Sequence, residues 1–163
     1  ASVVRRVFGP GEQKIKVRGF DDLMVFRAGC CNPIMGEPIV GYVTRGKGVS
    51  VHAVSCPNVV NLLYPPERRI EVEWGKAADA GVRYTVHLTM HVEDRKGILA
   101  DVSTRIADTN SNITNVEAHT DEAQRGRIDM TVEIKDLKHL QRVIKSIRGV
   151  DGVLEVERLT AKV

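Results

Sequence analysis

Apolar and polar residues alternate along the second half of the chain, where every second residue from Tyr84 to Val92 is apolar. This period of two is typical of a strand with one buried face.

Two later segments instead place apolar residues at helical spacing. The first of these predicts a helix over 98–108, and the second predicts one that runs from an N-cap at Asp136 to Gly149. Further strands are predicted at 113–120, 128–134 and 154–156. The order β-α-β-β-α-β predicts a ferredoxin-like fold, a four-stranded antiparallel sheet with both helices on one face.

The first half of the chain is divided by Pro and Gly into shorter segments that favour β structure. A hairpin is predicted from strands at 39–44 and 49–52, and a short helix falls within 55–63, with Ser55 as its cap and Pro57 in its first turn. Other strands are predicted at 14–17, 23–28 and 69–74. A small, polar segment at 75–81 then marks a domain boundary. The chain is therefore predicted to be α+β, with a small β-rich module at 1–75 followed by a βαββαβ domain at 82–163.

Composition narrows the class of protein. The 163 residues are 42% hydrophobic and 28% charged, which indicates globular domains, and aromatic residues make up only 4%, too few for extended base-stacking platforms. Three cysteines cannot form a fully paired set, so a reducing cytoplasm is expected. No signal peptide and no apolar run of about 20 residues is found, so no membrane partner is expected. The start at Ala1 and the lack of catalytic motifs predict a non-enzymatic piece of a longer protein.

The cysteines are part of a candidate metal site. Cys30, Cys31, His52 and Cys56 form the pattern C-C-x20-H-x3-C, whose donor types suit tetrahedral zinc. Adjacent cysteines on an extended strand point to opposite faces, so the site requires a turn near Pro33. The alternative is that these residues are free thiols packed against compact turns.

Positive charge is concentrated in the first module, although the net charge of the chain is only +3. Arg45 and Lys47 lie at the predicted hairpin tip, where Gly46 and Gly48 allow close approach to a phosphate backbone. His52 is a candidate RNA contact there if it does not bind metal. The alternative is a solvated basic face. The other basic residues of the module are Arg5, Arg6, Lys14, Lys16 and Arg18.

Two segments of the second domain resemble the ACT family of small-molecule-binding regulatory domains. They are Asp94-Arg95-Lys96-Gly97-Ile98-Leu99, before the first helix, and Asn110-Ser111-Asn112-Ile113, at the start of the second strand. The resemblance extends over about 82–160. It implies a homodimer of ACT domains side by side, to which Val150–Leu159 or the first helix are candidate contributors, but the sequence does not select the edge that pairs.

The glycine turn before the first helix is the candidate ligand site. A helix N-terminus presents unpaired N–H groups and partial positive charge, so Gly97 and Ile98 are placed to bind the carboxylate of an amino acid. Asp94 either caps the helix or binds the α-ammonium group. Further contacts are predicted from Leu99, Asn110, Asn112 and Ile113. The alternative is that Asp94 and Gly97 only form a tight turn and a cap.

The first module resembles the conserved-cysteine, ribosome-intersubunit module of the Rel/Spo family. The matching segments are Cys30-Cys31-Asn32-Pro33-Ile34, residues 41–52 and Ser55-Cys56-Pro57-Asn58. In that family the module directly precedes an ACT domain. The resemblance implies the C-terminal regulatory region of a stringent-response GTP diphosphokinase, an ATP:GTP pyrophosphotransferase with or without (p)ppGpp hydrolase activity.

Three hypotheses follow for the function. In the first, the ACT-like domain binds an amino acid, such as a branched-chain one, or dimerises, and the first module contacts ribosomal RNA and tRNA on the ribosome. In the second, the chain is an RNA-binding module with the ACT-like domain as a dimerisation scaffold. In the third, it is a small metal- or thiol-dependent enzyme, which only the cysteine cluster supports.

Overall fold

The computed structural model describes residues 15–17, 25–44, 48–74 and 83–160, which form two compact units that divide between Trp74 and Arg83. The first unit contains β1 (Ile15–Val17), β2 (Val25–Arg27), β3 (Ile39–Thr44), β4 (Gly48–Ala53), α1 (Pro57–Val60), a 3₁₀ turn (Pro66–Arg68), β5 (Arg69–Ile70) and β6 (Val72–Trp74). The second contains β7 (Tyr84–Glu93), α2 (Ile98–Asp108), β8 (Asn112–Thr120), β9 (Arg125–Ile134), α3 (Leu137–Arg148) and β10 (Val153–Leu159).

The first unit is built around the predicted hairpin of β3 and β4. The hairpin is the centre of a sheet with the order β2-β4-β3-β5, in which β2 runs parallel to β4. The strand predicted at 69–74 is instead two strands separated at Glu71, because β5 pairs with β3 whereas β6 pairs with β1. The short helix is also shorter than predicted, and its N-cap is Cys56 rather than Ser55.

Close packing in this unit depends on Gly41 of β3. A Cβ atom at this position would lie 2.8 Å from Cγ1 of Val72 and 2.9 Å from Cγ1 of Val49. Both distances are shorter than van der Waals contact, so the absence of a side chain lets neighbouring strands approach.

The second unit has the predicted βαββαβ order. Its sheet has the strand order β10-β7-β9-β8, and every neighbouring pair is antiparallel. The alternation along β7 has the predicted consequence: Tyr84, Val86, Leu88, Met90 and Val92 are buried, and Thr85, His87 and His91 are exposed on the opposite face. The two helices pack against each other and complete the apolar core with Val102, Ile106, Leu140, Val143 and Ile147.

The N-terminus of α3 agrees with the sequence prediction, whereas the geometry at its C-terminus differs from the prediction. The Asp136 carboxylate accepts a hydrogen bond from the His139 amide at 2.8 Å, as expected of an N-cap. Gly149 is the C-cap but has φ −75°, so the helix ends without a left-handed residue there. No helix among the described residues is both long enough and apolar enough to cross a bilayer.

Candidate functional site

The first candidate site is the cluster of Cys30, Cys31, His52 and Cys56. Parallel pairing of β2 with β4 places Arg27 beside Val51, so the turn that follows β2 lies next to His52. The carbonyl of Ala28 accepts a hydrogen bond from the Asn32 amide, and Asn32 has φ +43°. The two adjacent cysteines are therefore in a tight turn and not in an extended strand, which removes the geometric objection to their acting together.

Four donor atoms meet in this cluster. His52 Nδ1 lies 3.3 Å from Cys30 Sγ and 3.8 Å from Cys31 Sγ, and the Sγ atoms of Cys30 and Cys56 are 3.6 Å apart. All four atoms lie within 4.8 Å of one another. A tetrahedral zinc ion with its usual bond lengths separates two sulfur ligands by about 3.8 Å and a sulfur from a nitrogen by about 3.6 Å. The donor set and its spacing therefore fit zinc.

Burial sets the protonation of the cluster when no metal is bound. It is the main cause of the raised pKa of the Cys30 thiol and of the raised pKa of the Cys31 thiol. It also lowers the pKa of His52, which favours the neutral imidazole that metals require. Two tyrosines flank the imidazole, with ring centroids 5.7 Å (Tyr42) and 4.8 Å (Tyr64) from that of His52.

His52 is not available to RNA, contrary to one of the sequence predictions. The residue is only 1% exposed, its Nδ1 faces the cysteines and its Nε2 lies 3.0 Å from the Ser50 hydroxyl. Arg45 and Lys47, the other predicted RNA contacts, lie outside the described residues.

The second candidate site is a cavity of about 230 Å³ at the N-terminus of α2. Gly97 is the N-cap of this helix, with φ +82° and no side-chain capping bond. The Ile98 amide donates a long hydrogen bond of 3.3 Å to the Arg95 carbonyl. Within the described residues, the Leu99 and Ala100 amides have no hydrogen-bond acceptor. The cavity walls are mainly apolar and include Val92, Ile98, Leu99, Ala118 and Ile128.

Arg95 holds the loop that closes one side of this cavity. Its guanidinium donates to the Asp101 carboxylate at 2.8 Å and to the Asp151 carbonyl at 2.9 Å. Asp94 also lines the cavity, but it does not cap α2 as one sequence interpretation proposed. Its own amide donates to the Gln124 carbonyl, which ties the loop to the turn before β9.

The predicted ligand residues do not all meet within one chain. Asp94, Gly97, Ile98 and Leu99 line the cavity, whereas Asn110, Asn112 and Ile113 lie at the opposite end of the sheet. The register shows this directly, since Asn112 pairs with Glu133 and the cavity lies where Val92 pairs with Gly126. The cause is α2, whose 11 residues extend about 16 Å from one end of the sheet toward the other.

The sequence interpretation missed the other wall of the cavity. This wall comes from the end of β8 and the start of β9 and comprises Ala118, His119, Thr120, Gly126, Arg127 and Ile128. The predicted β8–β9 hairpin contained the information needed to find this wall. An antiparallel strand pair that starts at Asn112 has its turn at the other end of the sheet, beside the loop that precedes α2.

Comparisons with known proteins agree with both units. Residues 15–75 match the RelA/SpoT RIS domain family, and residues 80–158 match the ACT domain family. A GTP pyrophosphokinase of Streptomyces antibioticus is 40% identical over 146 residues, and one of Escherichia coli K12 is 36% identical over 148 residues. Each alignment covers 90% of this chain but only 17% and 20%, respectively, of the relative. The chain thus spans about a fifth of the length of these relatives.

A solved structure, the ACT domain from GTP pyrophosphokinase of Chlorobium tepidum, is also similar. It is 20% identical, has a TM-score of 0.43, and the match covers 48% of this chain and 100% of that structure.

The βαββαβ unit with its cavity and the β-rich unit with its thiol cluster define a protein that joins an RIS domain to an ACT domain. The chain belongs to the RelA/SpoT family, of which it is an RIS–ACT region.

Proposed function

We propose that this chain is the regulatory region of a cytoplasmic stringent-response GTP pyrophosphokinase, in which the ACT domain binds an aliphatic amino acid. The cavity at the N-terminus of α2 is the observation that carries this proposal. Its 230 Å³ exceed the roughly 150 Å³ of cavities that hold benzene, so an aliphatic side chain fits. In this proposal the amides of Leu99 and Ala100 bind the carboxylate, and Asp94, which also lines the cavity, binds the ammonium group.

Calorimetry tests this proposal with valine, leucine and isoleucine, and with aspartate as the acidic comparison. We expect one of the aliphatic amino acids to bind and to raise the melting temperature, because a ligand at 100 times its Kd stabilises the folded state by about 2.7 kcal/mol. Ala118→Met fills the cavity and should abolish binding. Ala107→Met, at an exposed position of α2 outside the cavity wall, is the matched control. Heat-silent titrations with no thermal shift for all three amino acids would reject the proposal.

In the RIS domain, we propose that zinc cross-links the turn after β2, strand β4 and the start of α1 through Cys30, Cys31, His52 and Cys56. When bound, zinc supplies structural stability rather than a reactive water, because all four ligands come from the protein. The support is the donor spacing given above. Elemental analysis of the chain purified without chelator should find one zinc per chain, and less after Cys56→Ser. His119→Ala is the control, because Glu117, His119 and Asp129 form the other group of side chains among the described residues whose spacing could hold a metal ion.

Ribosome contact is proposed for the tip of the β3–β4 hairpin, where the sequence places Arg45 and Lys47. The Thr44 hydroxyl donates to the Gly48 carbonyl at 2.9 Å, which closes the hairpin at its tip. Phosphate contacts release counterions, so co-sedimentation with ribosomes should weaken steeply with salt. Replacing Arg45 and Lys47 with Gln should reduce binding and its salt slope. Replacing Arg142 and Lys145 of α3 with Gln removes the same charge elsewhere and should change neither ribosome binding nor its salt slope. Equal losses of ribosome binding in the two double variants would argue against a specific hairpin contact.

Dimerisation of the ACT domain is proposed through β8. This strand is at the edge of its sheet, and eight of its nine residues are exposed, including Val116 at 37% on the face that the helices cover elsewhere. An uncovered edge with an apolar side chain is a surface on which a second sheet can pair. Val116→Lys should shift the sedimentation coefficient from dimer to monomer. Leu154→Lys should not, although Leu154 of β10 lies in the segment 150–159 that the sequence analysis named for the contact.

A further inference from the structure

The three cysteines differ sharply in their access to solvent. Cys31 and Cys56 are each 2% exposed, and Cys30 is partly exposed. Cys30 lies in the turn after β2, between the exposed Gly29 and the buried Cys31. A small oxidant in solution therefore reaches the Cys30 sulfur before the other two.

Only one partner has suitable geometry for Cys30. Its Sγ lies 3.6 Å from Cys56 Sγ, so the two atoms must approach by about 1.5 Å to reach disulfide length. A Cys30–Cys31 bond is disfavoured by covalent geometry, because adjacent Cα atoms are about 3.8 Å apart and an unstrained disulfide usually needs about 4.4 Å or more. Cys31 Sγ also accepts a hydrogen bond from the Ala53 amide at 3.3 Å, which holds it against β4.

We infer that Cys30 and Cys56 form a peroxide-responsive disulfide pair, with Cys31 left as a thiol. In the first step Cys30 loses its proton to water and the thiolate attacks hydrogen peroxide; the O–O bond breaks, Cys30 sulfenic acid forms, and the leaving hydroxide takes up the proton as water. In the second step Cys56 loses its proton in the same way and its thiolate attacks that sulfur; the S–O bond breaks, and the leaving hydroxide takes up the proton as a second water. One peroxide is thereby reduced to two waters while two thiols are oxidised to one disulfide.

Oxidation of Cys30 and Cys56 changes the donor atoms of the cluster and adds a cross-link to the first unit. Cys30 and Cys56 supply two of the four donor atoms in the cluster, so their disulfide removes half of the candidate metal ligands. The new bond also joins positions 26 residues apart, between the turn after β2 and the N-cap of α1. The inference goes beyond the proposed zinc site and does not require zinc, since it depends on the thiols alone.

The test uses the metal-free, reduced chain with a slight excess of hydrogen peroxide. Remaining thiols are then blocked with N-ethylmaleimide in denaturant, and the chain is digested with trypsin. Trypsin separates Cys56 from the other two cysteines, because Cys30 and Cys31 fall in peptide 28–45 and Cys56 falls in peptide 48–68. Mass spectrometry should find these two peptides cross-linked and carrying one maleimide, on Cys31. The cross-link should disappear when dithiothreitol is added before alkylation.

Three variants make the assignment specific. Cys30→Ser and Cys56→Ser should each reduce the cross-linked peptide by at least tenfold, and Cys31→Ser should retain it. Cys31 is buried, so its replacement can disturb folding. Cys31→Ala, with folding checked by circular dichroism, is therefore a second variant in which the cross-link should be retained. An undiminished cross-link in Cys30→Ser, or three alkylated thiols after peroxide treatment of the folded wild type, overturns the inference. Absence of zinc in the purified chain would reject the metal proposal and leave this experiment intact.

Discussion

The Ser50 hydroxyl lies 3.0 Å from Nε2 of His52, on the side of the imidazole opposite the cysteines. Ser50 is 8% exposed and two residues before His52 on β4, so both side chains project from the same face of the strand. A hydrogen bond from Nε2–H to this hydroxyl leaves the Nδ1 lone pair directed at Cys30 and Cys31. Second partners of this kind fix the tautomer and orientation of metal-binding histidines.

Ser50→Ala should therefore weaken zinc binding by about 10- to 100-fold, the usual cost of removing a second partner of a metal ligand. The affinity is measured by competition with a chromophoric chelator. Ser55→Ala, at an exposed position, serves as the control and should bind zinc as the wild type does. Equal affinities in Ser50→Ala and wild type would show that the hydroxyl does not orient the ring.

Gly41→Ala should destabilise the first unit by about 1–3 kcal/mol, because the added methyl group overlaps Val49 and Val72. Trp74 is the one tryptophan of the chain and packs beside Val49 and Val51, so its fluorescence follows unfolding of this unit in urea. Gly29→Ala is the matched change, since a Cβ atom at Gly29 meets nothing within 4 Å. The two variants should differ clearly in their urea midpoints, and similar midpoints would contradict the packing argument.

The sequence was most informative where one periodicity extended over many residues. The alternation along β7 predicted its buried face, and the apolar stripe of α3 predicted a helix with Asp136 as N-cap; the structure confirms both. Short elements were less predictable. The interruption at Glu71 arises because β5 and β6 pair with different strands, and such long-range pairing is not encoded in local propensity.

The candidate sites were also predictable only where the local sequence carried the information. The cysteine and histidine positions were readable because the residue types that suit zinc are few and chemically distinctive. A turn was expected at Pro33, and the structure has one over residues 28–32, directly before it. The cavity was only half predicted, because Ala118 and Ile128 are ordinary apolar residues whose role depends on the register of β8 and β9. Ser50 was missed, since a single serine two residues before a histidine carries no signal in one sequence.

His139 connects two loops of the ACT domain and should matter for stability in spite of its distance from the cavity. It is 1% exposed; its Nδ1 accepts from the Lys135 amide at 2.9 Å, and its Nε2 lies 2.8 Å from the Thr109 carbonyl. His139→Ala leaves these groups unpaired and should cost about 1–3 kcal/mol. Hydrogen exchange of peptides from β7 and β9 should speed up accordingly. His119→Ala removes an exposed ring and should leave exchange unchanged; the same rates in both variants would show that His139 is dispensable.

The metal-free first unit should be most stable between about pH 6.5 and pH 9, and the two limits have different origins. Burial lowers the pKa of His52 below its ordinary value of 6.5, so the unfolded state binds a proton first as the pH falls and stability is lost below about 6.5. Burial raises the pKa of the Cys31 thiol above its ordinary value of 9.0, so the unfolded state loses its proton first and stability falls above about pH 9.

Urea midpoints followed by Trp74 fluorescence from pH 5 to pH 10 should trace this plateau. His52→Gln should flatten the decline between pH 5 and 6.5 and leave the alkaline limb unchanged, because only the former involves the imidazole. An acidic decline of the same size in His52→Gln would assign it to other groups.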